Sequence, residues 1–296
     1  MRQIMKNVAG RVAGMLVVAV LAGCCMCGGG SATGPKFSVF ASGMDRVAKQ
    51  RGVTLERAAE MLAAEGVTGF DWSYSDKNLD RYAQTVLKPV NLYGFIPFNG
   101  PDRGAKESEA FVATAVRYGV PRIMCIPNGF PDGVESEAEY ALMRDGLARL
   151  VALAEKKGIA VSVEDFGNTK NPCSQAKYLK RFLQEIPGLR FTADSGNLYY
   201  AGRGEDICEM ARFAQGRISH VHLKDQEKEN NRRYATLGLG GVPNEDVVKF
   251  MEKDGYKDWY TLENPIGDDY LTDVVRQVAV VRLWCREVQG GTCKTR

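Results

Sequence analysis

Histidine is nearly missing from this chain: its 296 residues include only two, His220 and His222. A cluster of several zinc ions held by imidazoles is therefore out of reach. Five of the eight cysteines lie beyond residue 27 (Cys125, Cys173, Cys208, Cys285 and Cys293), and these form no C-x-x-C pair, which argues against a structural zinc site. No G-x-G-x-x-G follows the first strand-like run, which counts against a dinucleotide-binding fold. Net charge is slight as well. The formal +3 is matched by Arg2, Lys6 and Arg11, which sit among the first 23 residues with no acid, so the rest of the chain is neutral. No electrostatic argument remains for nucleic acid or an anionic membrane surface as a partner. The apolar run Val12–Leu21 is too short to span a bilayer comfortably. Beyond residue 36 there is no internal repeat, linker or low-complexity block, so a single domain over residues 37–288 is the simplest division.

What is present starts with the leader. Basic residues precede Val12–Leu21, as in a signal peptide, and the run ends in Leu21-Ala22-Gly23-Cys24. That ending resembles the lipobox of bacterial lipoproteins. The resemblance implies cleavage after residue 23, lipidation of Cys24 and a flexible tether over residues 24–36. It also implies a protein of the bacterial cell envelope, lipid-anchored and facing the periplasm or exterior. A plain secretory signal or an uncleaved anchor helix would read similarly. In an oxidising compartment a Cys285–Cys293 bridge is open, and residues 289–296 read as a frayed tail.

With 45% hydrophobic and 25% charged residues, the remainder has the composition of an ordinary globular protein. Eight short strand-like runs alternate with helical patterns: 37–40, 67–72, 90–95, 122–126, 160–164, 189–194, 218–223 and 259–263. Thr54, Ser174 and Asn244 are candidate helix caps, and helices are expected near 55–65, 79–86, 111–116, 147–157, 175–185, 207–214, 245–252 and 270–288. Such alternation predicts βαβ units and a parallel sheet, and eight of them predict closure into a (β/α)8 TIM barrel. An open doubly wound sheet would share the periodicity.

Alternation within the strands locates a site. Successive residues of a strand point to opposite faces, so Val161 and Val163 oppose Ser162 and Glu164. In the same way Phe191 and Ala193 oppose Thr192 and Asp194, Val221 and Leu223 oppose His220, His222 and Lys224, and Tyr260 and Leu262 oppose Thr261 and Glu263. The apolar face of a barrel strand packs on helices, so Glu164, Asp194, His222 and Glu263 should point inward at the C-terminal strand ends, where barrel enzymes carry their sites. Three carboxylates converging without a cation would repel one another, whereas three hard oxygens and an imidazole suit one divalent metal ion: Mn, Mg, Co or Zn. Any one of them alone would read equally as a paired acid or a buried ring.

The runs Val163-Glu164-Asp165, Ala193-Asp194-Ser195-Gly196-Asn197, His220-Val221-His222-Leu223-Lys224-Asp225 and Thr261-Leu262-Glu263-Asn264 resemble the sugar phosphate isomerase/epimerase family of xylose isomerase-like TIM barrels. Gly238–Gly241 with Val242, and Gly255-Tyr256, are similar to family features too. The resemblance implies Glu164, Asp194, His222 and Glu263 as metal ligands, Glu164 and Glu263 doubling as catalytic acid and base, and Asn197 and Lys224 beside the substrate. It departs at Phe166, where relatives often carry a polar or histidine side chain, and at Pro127-Asn128, where no histidine ends the fourth strand. The two histidines also rule out the multi-zinc centre of the related endonuclease IV type. His220 lies one layer deeper than His222 and reads as a support for it. Arg232 could meet an anionic substrate, and Trp72, Phe95 and Phe98 could stack on a sugar or belong to the core.

The expected activity is that of a divalent-metal-dependent isomerase or epimerase acting on a sugar or related keto or hydroxy compound through an enediolate. The same parts would serve a lyase or dehydratase acting on a keto-sugar or keto-glycoside. A non-catalytic carbohydrate-binding lipoprotein is the alternative of another class.

Overall fold

The computed structural model of the protein describes residues 34–204, 206–263 and 266–290. The expected leader, the Cys24 lipidation site, the tether to residue 33, Asn264 and Cys293 fall outside them. Eight parallel strands form a closed barrel: β1 (Lys36–Phe40), β2 (Val67–Ser73), β3 (Lys88–Ile96), β4 (Arg122–Pro127), β5 (Ala160–Glu164), β6 (Arg190–Asp194), β7 (Ile218–Leu223) and, after two short strands, β10 (Trp259–Leu262). The short ones, β8 (Asp225–Gln226) and β9 (Tyr234–Ala235), pair antiparallel in the loop after β7. Sequential strands are neighbours, and β10 closes the ring by pairing with both β7 and β1. This is the expected (β/α)8 barrel.

Its helical shell departs from expectation in places. Two helices, α1 (Ala41–Arg51) and α2 (Leu55–Ala64), separate β1 from β2. The first was not foreseen because its buried stripe is only Ala41, Gly43, Met44 and Val47, too slight for a clear apolar period. Thr54 caps α2 as expected, accepting from the Arg57 N–H at 3.3 Å. The helix expected over 79–86 shrinks to α3 (Leu79–Ala83), where the Thr85 hydroxyl takes the Tyr82 carbonyl at 2.9 Å and Val86 is exposed.

Next come α4 (Ala105–Tyr118), α5 (Glu137–Glu155) and α6 (Ala176–Glu185), the last capped at Gln175 because Ser174 ends a separate turn of 3-10 helix. Then follow α7 (Asn197–Tyr200), α8 (Asp206–Phe213), α9 (Asn244–Lys253) and α10 (Tyr270–Gly290). Asn244 is the first residue of α9 rather than its cap, and its amide donates to the Lys224 carbonyl at 3.0 Å. The helix α10 runs two residues into the expected tail. Among the described residues, no helix is long and apolar enough to cross a membrane.

The apolar core lies between barrel and helices. Phe37, Val39, Phe70, Trp72, Val161, Val163, Phe191, Val221, Tyr260 and Leu262 all belong to it. The barrel axis is different: Ser38, Asp71, Asn91, Ser162, Thr192, His220 and Thr261 are all wholly buried there. They pair between neighbouring strands, Ser38 with Thr261 and Ser162 with Thr192, each at 2.7 Å. Buried polar groups are costly unless partnered, so this interior is held largely by hydrogen bonds.

Phe98, a candidate sugar platform, is fully buried against α5, and a Cβ on Gly146 would come 2.1 Å from its ring. Gly146→Ala sets two effects against each other. Better helix propensity gains roughly 0.5–1 kcal/mol, and overpacking costs roughly 1–3 kcal/mol. The ring has nowhere to go, so the variant should melt below the parent in a thermal unfolding scan; a higher Tm would refute the packing assignment.

Candidate metal centre

Four side chains meet where the strands end. Glu164 closes β5, Asp194 closes β6, His222 is the penultimate residue of β7, and Glu263 follows β10 with its N–H on the Leu223 carbonyl at 2.9 Å. One ligand atom from each lies within 4.8 Å of all the others. Around His222 Nδ1 the carboxylate oxygens stand at 2.6 Å (Glu164), 3.6 Å (Glu263) and 3.9 Å (Asp194). The strands β5, β6, β7 and β10 are consecutive in the barrel, so the two glutamates are the outer members of the row.

Two of the four are oriented from behind. Asp194 Oδ1 accepts from the N–H groups of Gly196 and Asn197 at 2.8 and 3.0 Å, which leaves Oδ2 facing the centre. His222 Nε2 lies 3.0 Å from Asp71 Oδ2, which leaves Nδ1 facing the carboxylates. Asp71 is the residue that sequence reasoning missed. Its fully buried carboxylate also receives Asn91 Nδ2 at 2.7 Å, His220 Nε2 at 2.8 Å and the Thr261 hydroxyl at 2.9 Å.

The tautomers follow from the donors. Arg122 has no acceptor, and its guanidinium sits 3.0 Å from His220 Nδ1, so that nitrogen accepts and Nε2–H turns to Asp71. A chain of polar contacts thus descends the barrel from His222 through Asp71, His220 and Arg122 to Asp258, the last link 2.8 Å long. His220 supports the site one layer below it. The signal for Asp71 was available: it has the parity of Gly69, opposite Phe70 and Trp72.

The same parity corrects Trp72. It points outward, is wholly buried, and packs edge-on against Tyr118 of α4 with ring centroids 5.0 Å apart, so it is no substrate platform. Phe95 points inward, is 61% exposed at the mouth and meets Phe166 at 5.7 Å. The mouth cavity, about 350 Å³, is lined by Phe95, Phe166, Asn197, His222, Lys224 and both glutamates, among others. Arg232 is outside it, in an adjoining cavity of about 430 Å³ that also touches Phe166, Asn197 and Lys224. A larger cleft of about 530 Å³, around Tyr199, Lys228 and Pro243, contains none of the four converging residues.

Charge is concentrated here. Burial is the main force raising the Asp194 carboxyl to about 8, with Glu263 and Glu164 adding to it against the pull of Lys224. Burial opposes charge on His222 and Lys224 too, yet the carboxylates override it and hold both well above their ordinary values. The Lys224 ammonium lies 2.8 Å from Asp194 and 2.9 Å from Glu263. For Glu263, burial is outweighed by Lys224 and His222, and its carboxyl is lowered. His220 is driven by burial down to about 4, as its neutral role requires.

These residues fit a divalent ion. Asp194 Oδ2 and His222 Nδ1 are buried and close to charged neighbours, yet neither makes a properly aligned hydrogen bond. Once Asp194 and His222 have given up their protons, as ligation requires, three carboxylates and one ammonium leave two negative charges, the charge a dication neutralises.

A family model described as a xylose isomerase-like TIM barrel matches residues 41–279. An inosose dehydratase of Histophilus somni is 29% identical over 52% of this chain and 57% of its own length. A Streptomyces coelicolor protein provisionally named a hydroxypyruvate isomerase is 27% identical over 73% of this chain and 86% of its own. Several of the curated relatives are thus matched over only about half their length. Among solved structures, an L-ribulose 3-epimerase superposes with TM-score 0.69 at 16% identity, covering 89% of this chain and 98% of that one. The IOLI protein with a bound zinc atom superposes with TM-score 0.66 at 16% identity, covering 88% and 100%. At that identity the structures attest the fold.

Because a metal must displace protons from Asp194 and His222, divalent-ion affinity should rise as pH climbs toward 8, with proton release on binding. Calorimetry in buffers of different ionisation enthalpy measures both; a pH-independent affinity would contradict the assignment. Asp71→Asn should weaken metal binding by about 10–100-fold, the usual cost of losing a partner behind a ligating histidine.

Proposed function

The chain belongs to the xylose isomerase-like TIM barrel family, and from that premise we propose that it is a divalent-metal-dependent isomerase or epimerase of a sugar or related keto or hydroxy compound. The observation that carries this reading is the pair of glutamates, buried Glu164 and half-buried Glu263, flanking Asp194 and His222 at one cavity. Glu164, Asp194, His222 and Glu263 would hold one ion, Mn, Mg, Co or Zn. When bound, it would supply Lewis acidity for the negative charge that develops beside a carbonyl, worth several kcal/mol.

The protein's own groups handle the protons. Glu263, kept deprotonated by Lys224, is fitted to take the proton from the carbon next to the carbonyl. Lys224 Nζ, 2.9 Å from Glu263 Oε1, steadies that carboxylate while it works. Glu164, at the other end of the row, is placed to return a proton that it has taken up from water, and Glu263 gives its own up to water between turnovers. Return to the same carbon from the opposite face inverts it; return to its neighbour moves the carbonyl. Phe95 and Phe166 at the mouth would exclude water from the reacting carbon.

Elimination is the second reading, supported by the relatives named inosose dehydratases. There one glutamate takes the same proton and the other delivers one to a departing hydroxyl or alkoxide. The Leu21-Ala22-Gly23-Cys24 lipobox supports a lipid-anchored protein of the cell envelope. In that location an unphosphorylated substrate is the more accessible class.

The test is incubation in D₂O with unphosphorylated ketoses and with a methyl 3-keto-glucoside, with and without EDTA. Deuterium in a new epimer or isomer is expected, and released water or methanol would select elimination instead. Glu164→Gln and Glu263→Gln should each lower exchange by about 10²–10⁴, the typical contribution of a positioned proton-transfer group. Sugar binding with no exchange in any arm would leave a carbohydrate-binding protein without turnover and defeat the enzymatic reading.

A further inference from the structure

The mouth of the barrel holds two cavities with a common wall. The first, about 350 Å³, contains Glu164, His222 and Glu263; the second, about 430 Å³, is lined by Asn168, Thr169, Tyr200, Gln226, Arg232 and Tyr234. Phe166, Asn197 and Lys224 belong to both. Nothing in the proton transfer described above uses the second lobe.

That lobe has the features of a built site. Gln226 is wholly buried, and neither its Nε2 nor its Oε1 has a hydrogen-bond partner among the described residues. Such an amide is costly to leave unpaired, by roughly 1–3 kcal/mol for each group. Its place is enforced: a Cβ on Gly196 would stand 2.9 Å from both amide atoms and 2.5 Å from Lys224 Cγ, so only glycine there lets the two side chains pack. Tyr200 presents its ring beneath the Arg232 guanidinium at 4.1 Å, and Tyr234 is 45% exposed.

Donor and acceptor balance identifies the class of ligand. An unpaired carboxamide needs one acceptor and one donor at the same time, which hydroxyl groups supply. A carboxylate or phosphate accepts only and would leave Oε1 unpaired. Aromatic faces beside a hydrogen-bonding amide suit a ring with apolar C–H edges and polar hydroxyls.

The geometry points to a subsite for a second, neutral sugar ring, so that the substrate is a glycoside or disaccharide with its reacting ring at Glu164, His222 and Glu263. This rests on the site reading given above and extends it from one ring to two. Gln226 and Tyr200 hold the second ring, while Asn197 and Lys224 border both.

Equilibrium binding on the full chain tests it, using probes with neither a keto group nor a reducing end, which are therefore unreactive: methyl glucoside against trehalose, methyl maltoside, methyl cellobioside and the methyl glycoside of a glucuronosyl-glucose. At least one neutral disaccharide should bind tenfold or more tightly than methyl glucoside. Gln226→Leu and Tyr200→Ala should each bring that ratio down toward one. Equal affinities across the set would overturn the proposal, as would a ratio that survives in both variants. A gain confined to the glucuronosyl sugar would also overturn it, placing an anion at Arg232 instead. No proton is transferred in these measurements, so a failed exchange experiment leaves the ratio intact, and a flat ratio leaves the exchange chemistry intact.

Discussion

Like charges forced together inside the barrel mouth are the constraint on which the rest depends. Glu164, Asp194 and Glu263 converge on one side of His222 with little water to screen them. In such surroundings carboxylates either gain protons or gather cations. Both responses are visible: Asp194 is pushed up to about 8, while Lys224 and His222 are held charged by the acids around them. Such a site fits a dication, which would replace the protons with a single central charge.

Holding that tension requires the hydrogen-bonded barrel axis. A barrel filled with aliphatic side chains would leave His222 free to rotate. Here Asp71 fixes it, and Asp71 is itself fixed by Asn91, His220 and Thr261. The arrangement continues to Arg122 and Asp258, so the orientation of a ring at the mouth is set by contacts that cross the whole barrel. On the far side of the site, Asp225 gathers the N–H groups of Gly238, Gly240 and Val242 at 2.9, 3.0 and 3.1 Å, pinning the loop after β7. Rigid strand ends and a tied loop supply the preorganisation that proton transfer needs.

The four converging residues were legible because strand alternation is a short-range rule. Val161, Val163, Val221 and Leu223 announce the outward face, and their neighbours are inward by geometry alone. Asp71 obeys the same rule, but the aromatics on either side of it, Phe70 and Trp72, carry the stronger signal in that strand. Arg232 was legible as a cation near a strand end, but its stacking on Tyr200 in a separate lobe was not. The helix α1 was illegible for a plainer reason: a stripe of alanine, glycine, methionine and valine carries too little apolar contrast.

By itself the sequence determined which residues face inward, since the side chains of a strand alternate whatever surrounds them. It also determined that strands and helices succeed one another, since periodicities of two and of 3.6 residues are properties of local backbone geometry. Only the tertiary structure decided which inward residues are neighbours: Asp71 and His220 are far apart along the chain and 2.8 Å apart in space. It alone decided that Gln226 would be buried with no partner among the described residues, beside a second cavity. Those facts depend on how eight strands are staggered around an axis, and stagger is set by long-range pairing that no local pattern encodes.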